Sequence, residues 1–298
     1  MSIDKHAGNP FGVRVVNAES MLRAIREMGI VPFFENAIPG YSIEEMTPPE
    51  FWFDGDSDTL GPWDWKVDCV QSGDVAYGKF LWNGKAAFAT AQWYRELMNY
   101  RRSLPKYEPD AAGRKILDYV DANGSIASKD IRRLLGLKKS GADAACARLQ
   151  MQCRLLVGDI ARVYRGPDLH YVGWQLATFC APEGIVGGIP DQVGYDGIGG
   201  YDGKGGYDGK GGYDGKGGYD GKGGYDGKGG YDGKGGYDGM VGPCGKRPRL
   251  LGPGGFPFVD EEEQGPGHSP EESYRLLNAH IQSVAPAATP ALIAKMLG

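Results

Sequence analysis

The fold is decided by residues 109–179. They read PDAAGRKILDYVDANG (109–124), ASKDIRRLLGL (127–137), SGADAACARLQMQCRL (140–155), LLVGDIARVYRG (155–166) and LHYVGWQLATF (169–179). The first piece predicts a helix with Ile116, Leu117 and Val120 facing inward and Gly124 as its stop. The second predicts a helix capped by Ser128, with Ile131, Leu134 and Leu135 inward. The third predicts a helix lined by Ala142, Ala145, Cys146, Leu149 and Cys153, and Gly136 and Gly141 lie in the turn before it. The last two pieces alternate as strands and meet at Gly166-Pro167-Asp168. Three short helices and a hairpin in about 70 residues make a winged helix-turn-helix, over 105–183.

Charge agrees with that reading. The chain carries a net −5, yet residues 101–165 hold 14 basic and 7 acidic side chains, whereas residues 1–60 hold 4 and 10. A basic block in an acidic chain predicts an anionic partner for that block, here duplex DNA. The candidate phosphate contacts are Lys129, Arg132, Arg133, Lys138 and Lys139 on the second helix and turn. Arg148 and Arg154 lie on or just after the third helix, and Arg162 and Arg165 lie on the wing. The third helix offers Asp143, Arg148 and Gln150 among Ala142, Ala144, Ala145 and Ala147, a smooth face that suits shape or backbone recognition. Winged helices also serve as protein-contact modules, so a non-catalytic regulator or interaction module stands as the alternative.

Outside this unit the chain predicts an α+β protein. Asn17 caps a helix striped by Met21, Leu22, Ile25 and Met28, with Gly29 ending it. PWDWK (62–66) reads as a helix start, with Pro62 early and Asp64 in the first turn. Strands around 75–82 and 86–90 flank Asn83-Gly84, a hairpin signal. AQWYRELMNYRR (91–102) predicts a helix with Trp93, Leu97 and Tyr100 on one face and Arg101 and Arg102 at its end. Residues 1–104 thus form an N-terminal helical and β-hairpin region. Two helices close the chain over 269–298, starting at a Ser269/Glu272 capping box and at Thr289-Pro290.

Between these parts, residues 184–268 predict a disordered insertion. Gly194–Gly239 is tandem YDGKGG and holds 23 of the 50 Gly in the 298-residue chain. The period of six excludes collagen, and the identical units carry no aliphatic residue to build a β-roll or β-helix core. The segment has 8 Asp against 6 Lys, which works against nucleic-acid affinity. An inert linker that arose by tandem duplication is the simplest reading.

Several function classes drop out. No run of about 18 apolar residues spans a membrane. Five Cys with no CxxC pair and only 4 His argue against a zinc site or a disulfide framework. No metal or cofactor is expected, since HExxH, P-loop and GxSxG motifs are absent. MSIDKHAGNP has no apolar core of a signal peptide, so reduced thiols in the cytoplasm are expected.

PWDWK (62–66), YGKF (77–80), WYRELMNYRR (93–102), LQMQ (149–152) with GD (158–159), YVGWQLATFCAPE (171–183) and SPEESY (269–274) resemble the AlkZ-related proteins. These are relatives of the AlkZ/YcaQ winged-helix DNA glycosylases, and the resemblance covers about 10–185 and 268–298. It implies DNA binding through a basic channel and removal of alkylated bases in DNA repair. In those glycosylases a Gln-aliphatic-Gln or Gln-aliphatic-Asp motif near the N-terminus positions the catalytic water. Here Gln71 and Gln92 stand alone, and Gln150-Met151-Gln152 lies at a different place, so whether this chain is an enzyme stays open. The catalytic candidates are Asp64, an acid between Trp63 and Trp65 that would suit a flipped-base pocket, and Gln150 and Gln152. Tyr77, Lys79 and Arg101 are candidates to line the same pocket.

Overall fold

The computed structural model describes residues 12–53, 60–165, 170–187 and 269–298. The expected wing turn at Gly166-Pro167-Asp168, the YDGKGG repeat and the stretch up to residue 268 lie outside the described residues. The described chain is mixed helix and strand, with two small antiparallel sheets.

Helix α1 (Ala18–Met28) starts at Asn17, whose side chain accepts from the Ser20 N–H at 2.8 Å while Ser20 Oγ accepts from the Asn17 N–H at 3.0 Å. This reciprocal cap satisfies two backbone donors that a helix start leaves orphaned. Met21, Ala24, Ile25 and Met28 form its buried stripe. Gly29, at φ 69°, turns the chain into β1 (Ile30–Pro32). Two single turns follow, α2 (Ile43–Met46), capped by Ser42, and α3 (Glu50–Phe53). Helix α4 (Pro62–Gln71) has Pro62 at its first position, where the missing N–H costs nothing. Strands β2 (Val75–Leu81) and β3 (Lys85–Thr90) form the expected hairpin through Trp82, Asn83 and Gly84, all at positive φ. The short β1 pairs with β3 through Ile30↔Ala89, making the order β1-β3-β2.

Helix α5 (Ala91–Arg102) buries Tyr94, Leu97 and Met98. The expected face of Trp93, Leu97 and Tyr100 is thus rotated. Trp93 and Tyr100 instead meet the closing helices, and only Leu97 is shared. After a 3-10 turn at Pro105–Tyr107 come α6 (Ala111–Asn123), β4 (Ile126–Ala127), α7 (Ser128–Leu135), α8 (Lys139–Met151), β5 (Leu156–Arg165) and β6 (His170–Cys180). Their sheet order is β4-β6-β5, with Ile126↔Phe179 and Ile160↔Ala177. Ser128 does not cap α7 from outside. It is the first helical residue, and its hydroxyl donates to Ala177 O on β6 at 3.0 Å. Helix α9 (Glu183–Val186) buries Ile185 and Val186, so the folded chain reaches into residues that composition placed in the insertion.

Helices α10 (Pro270–Val284) and α11 (Pro290–Leu297) close the chain. His280 stacks on Trp93 at 3.7 Å, and Tyr274 meets Tyr100 at 4.7 Å. Leu277, Ile281, Ile293 and Met296 join one buried cluster that begins at Val15. Among the described residues, no helix is long and apolar enough to cross a membrane, and no His/Cys/Asp/Glu group could hold a metal ion. Cys69, Cys146 and Cys153 are buried free thiols, and burial pushes Cys69 and Cys146 up to about 12.

Candidate functional site

Helix α4, strand β2, helix α8 and the β5–β6 pair meet around a cavity of about 340 Å3, lined by Lys66, Tyr77, Lys79, Asp143, Gln150 and Gln175 among others. Local structure explains the placement. The start of α4 is held down by the hairpin strands. Gln175 Nε2 on β6 donates to Trp63 O at 2.9 Å, and Arg162 on β5 donates to Asp64 O at 2.9 Å and to Asp68 Oδ1 at 2.8 Å. Trp63, 49% exposed, leans on Phe33 and Phe34 with ring centroids 5.6 Å away. One turn of helix therefore carries a half-exposed indole, a carboxylate and a buried amine.

The carboxylate is Asp64. It is half-buried, with Gln175 Nε2 at 3.5 Å and the Tyr171 hydroxyl bonded to it. Burial, and then the bond to Asp64, pushes the Tyr171 phenol up to about 12, so it stays a donor. The amine is Lys66, only 6% exposed. Burial pulls it down to about 8 against an opposing pull from Asp64. Its Nζ lies 4.7 Å from the Trp63 ring centroid, and no described residue gives it a hydrogen bond or salt bridge. Sequence reading missed Lys66. The available signal was helical spacing, since Lys66 falls on the stripe of Pro62, Cys69 and Val70, which faces inward.

The two glutamines are held by the backbone. Gln150 is 3% exposed; its Oε1 accepts the Lys79 N–H at 2.8 Å, and its Nε2 donates to Cys146 O at 3.3 Å. Gly78 makes room for it, because a Cβ there would lie 2.9 Å from Gln150 Oε1. Gln152 Nε2 donates to Glu108 O at 3.1 Å, and its buried Oε1 has no hydrogen-bond partner. Gln150 thus pins α8 to β2, and Gln152 ties the end of α8 to the chain before α6. Tyr77 and Lys79 do line the cavity with Lys66, whereas Trp63 and Asp64, one turn back on α4, do not. Arg101 does not. It is wholly buried at the far end of α5, where it donates to Leu297 O, Phe80 O and Met151 O.

The basic candidates divide sharply. Lys129, Arg132, Arg133, Lys138 and Lys139 are exposed on α7 and the start of α8; Arg133 pairs with Asp130 at 3.0 Å. Arg148 is half-exposed and pairs with Asp110 at 3.0 Å. Arg154, with an 11% exposed side chain, meets Glu108 at 3.4 Å, and Arg162, at 17%, meets Asp68. The side chain of Arg165 lies outside the described residues. The Cys146 and Gln150 side of α8 faces the cavity and β2, which leaves Lys139, Ser140, Asp143, Ala144 and Arg148 toward solvent.

Two helices with exposed cations stand beside the cleft, in a chain of mixed helix and strand that defines an α+β protein. The model of the AlkZ-related family matches residues 15–190, and the chain belongs to that family. The match takes in the cleft and every basic candidate. No curated protein and no solved structure matches the chain.

Proposed function

We propose that the chain is a winged-helix protein that binds duplex DNA and excises alkylated bases in DNA repair. Residues 105–183 form the winged helix, since helix, strand, two helices and a strand pair follow in order with β6 between β4 and β5. The observation that carries the reading is the row of exposed cations on α7 and the following turn, Arg132, Arg133, Lys138 and Lys139. They face solvent in a chain whose net charge is −5. With much of α8 packed inward, this contact is mainly to phosphates and gives affinity more than sequence choice. An unstacked base would stack on the exposed Trp63, next to Asp64, which would orient water or stabilise positive charge on the sugar. A cytoplasmic location goes with this reading.

One observation favours the alternative of a non-catalytic regulator or interaction module. Both groups of the Gln150 amide are already taken up inside the protein. Duplexes with and without an alkylated base separate the two, scored for binding and for abasic product. Binding is expected to weaken with salt, and replacing Arg132, Arg133, Lys138 and Lys139 by Gln should flatten that dependence by about 0.9 in log–log slope per lost contact. The same variant should melt within about 0.5 kcal/mol of wild type, because surface substitutions cost little. Salt-insensitive binding would sink the DNA reading. Binding with no abasic product, unchanged by Asp64→Asn, would leave the non-catalytic module.

A further inference from the structure

Lys66 is a buried cation with no hydrogen bond or salt bridge from any described residue, and it lines a cavity rather than a packed interface. Burying an ammonium without hydrogen bonds is costly. A carboxylate on the same helical turn, Asp64, keeps part of the charge in place. The other ionisable groups around the cavity are Tyr77 and Lys79 on β2, Asp143 and Cys146 on α8 and, against Asp64, Arg162 on β5. Lys79 and Asp143 are exposed and mark the open rim. Tyr77 and Cys146 are themselves held neutral by burial. Beside the amine stands the half-exposed Trp63 ring, which does not itself line the cavity; the aromatic rings that do are Tyr77 and Phe179. A primary amine in such a setting has one characteristic covalent chemistry, condensation with a carbonyl.

We propose that Lys66 is an amine nucleophile that forms an imine with the aldehyde of an abasic deoxyribose in duplex DNA. This rests on the DNA-binding reading above, because base excision is what leaves such a sugar. The lysine nitrogen adds to C1′ of the ring-opened sugar, and the N–C bond forms as the C=O π bond opens. The carbinolamine then loses its oxygen as water, which carries away both amine protons, and the C=N bond results. No oxidant or further reactant is needed. An amine that titrates at about 8 has a usable free-base fraction at neutral pH, roughly three hundred times that of an ordinary lysine.

Borohydride, which reduces an imine to a stable amine, is the trap, with abasic duplex and free 2-deoxyribose as separate probes. With the full-length protein, the abasic duplex should give a covalent adduct that peptide mapping places on Lys66. Lys66→Met should lower its yield at least tenfold while duplex affinity stays within twofold. The yield should rise with pH around about 8, and Asp64→Asn should move that midpoint lower, since the carboxylate favours the charged amine. An adduct that survives Lys66→Met, or maps to the exposed Lys79, would overturn the proposal. Duplex binding without any adduct would overturn it alone and leave the DNA reading standing. Trapping of free 2-deoxyribose on Lys66 without duplex binding would support the amine chemistry and overturn the DNA reading.

Discussion

Arg101 and Lys66 are both buried cations in one connected core, and the two regions that hold them treat them in opposite ways. At the junction of α5, β2, α8 and α11, Arg101 meets a converging set of backbone carbonyls. In the cleft, Lys66 meets an indole face and a carboxylate that is already engaged by Tyr171 and Gln175. Burial alone therefore does not mark a site here. What separates a structural cation from a reactive one is whether its donors find acceptors. Guanidinium, with five fixed donors, suits the first role, and an amine with one titratable proton suits the second.

The largest effect that would break this contrast comes from Arg101. Arg101→Met keeps volume but leaves Leu297 O, Phe80 O and Met151 O to find other donors inside the core. A loss of about 3–5 kcal/mol is expected, with α11 released first, since Leu297 closes that helix. Urea melts would read the loss, and hydrogen exchange would locate it. A variant that melts within about 1 kcal/mol of wild type would remove Arg101 from the structural class.

Next in size is the pin between α8 and β2. Gly78→Ala places a methyl 2.9 Å from Gln150 Oε1, so either the Lys79 N–H bond breaks or the strand shifts. The expected cost is about 1–3 kcal/mol. In the double variant Gly78→Ala with Gln150→Ala, the clash is gone, and the second substitution should cost less than it does alone. Additive costs in that cycle would show that the pin contributes nothing.

These positions also show what the sequence could and could not reveal. Periodicity and caps placed α1, α4, α10 and α11, and Asn83-Gly84 placed the hairpin, because those signals lie within a few residues of each other. The helices and strands of 109–179 were legible for the same reason. Strands β1 and β4 were not, since three and two residues carry no alternation to count. Charge counting treated Arg101, Arg102, Arg154 and Arg162 as equal to Arg132 and Arg133. The structure spends the first four on intramolecular bonds, across separations that local reading cannot see. Asp64 is legible as an acid between two tryptophans, whereas Lys66 is not legible, because a lysine is normally read as solvated.

Lys66 carries the smallest expected change in stability, and of opposite sign to the others. Lys66→Met swaps a buried ammonium, with no hydrogen bond from the described residues, for an apolar chain of similar length. The desolvation cost disappears, and the contact over Trp63 is lost, so a net gain on the order of 1 kcal/mol is expected at pH 7. The pH dependence fixes the cause. The folded amine titrates near about 8, below the ordinary lysine value of 10.5. Between those values the unfolded chain binds more protons than the folded one, so wild type gains stability as pH rises through that window. Below about 8 both states are protonated and the full cost is present. Lys66→Met has no such group, so its advantage over wild type should be largest at neutral pH and shrink toward pH 10.5. Thermal melts of the pair across that range would show it. A constant offset would mean that the gain comes from packing alone, and that Lys66 is as well satisfied in its cleft as Arg101 is in its junction.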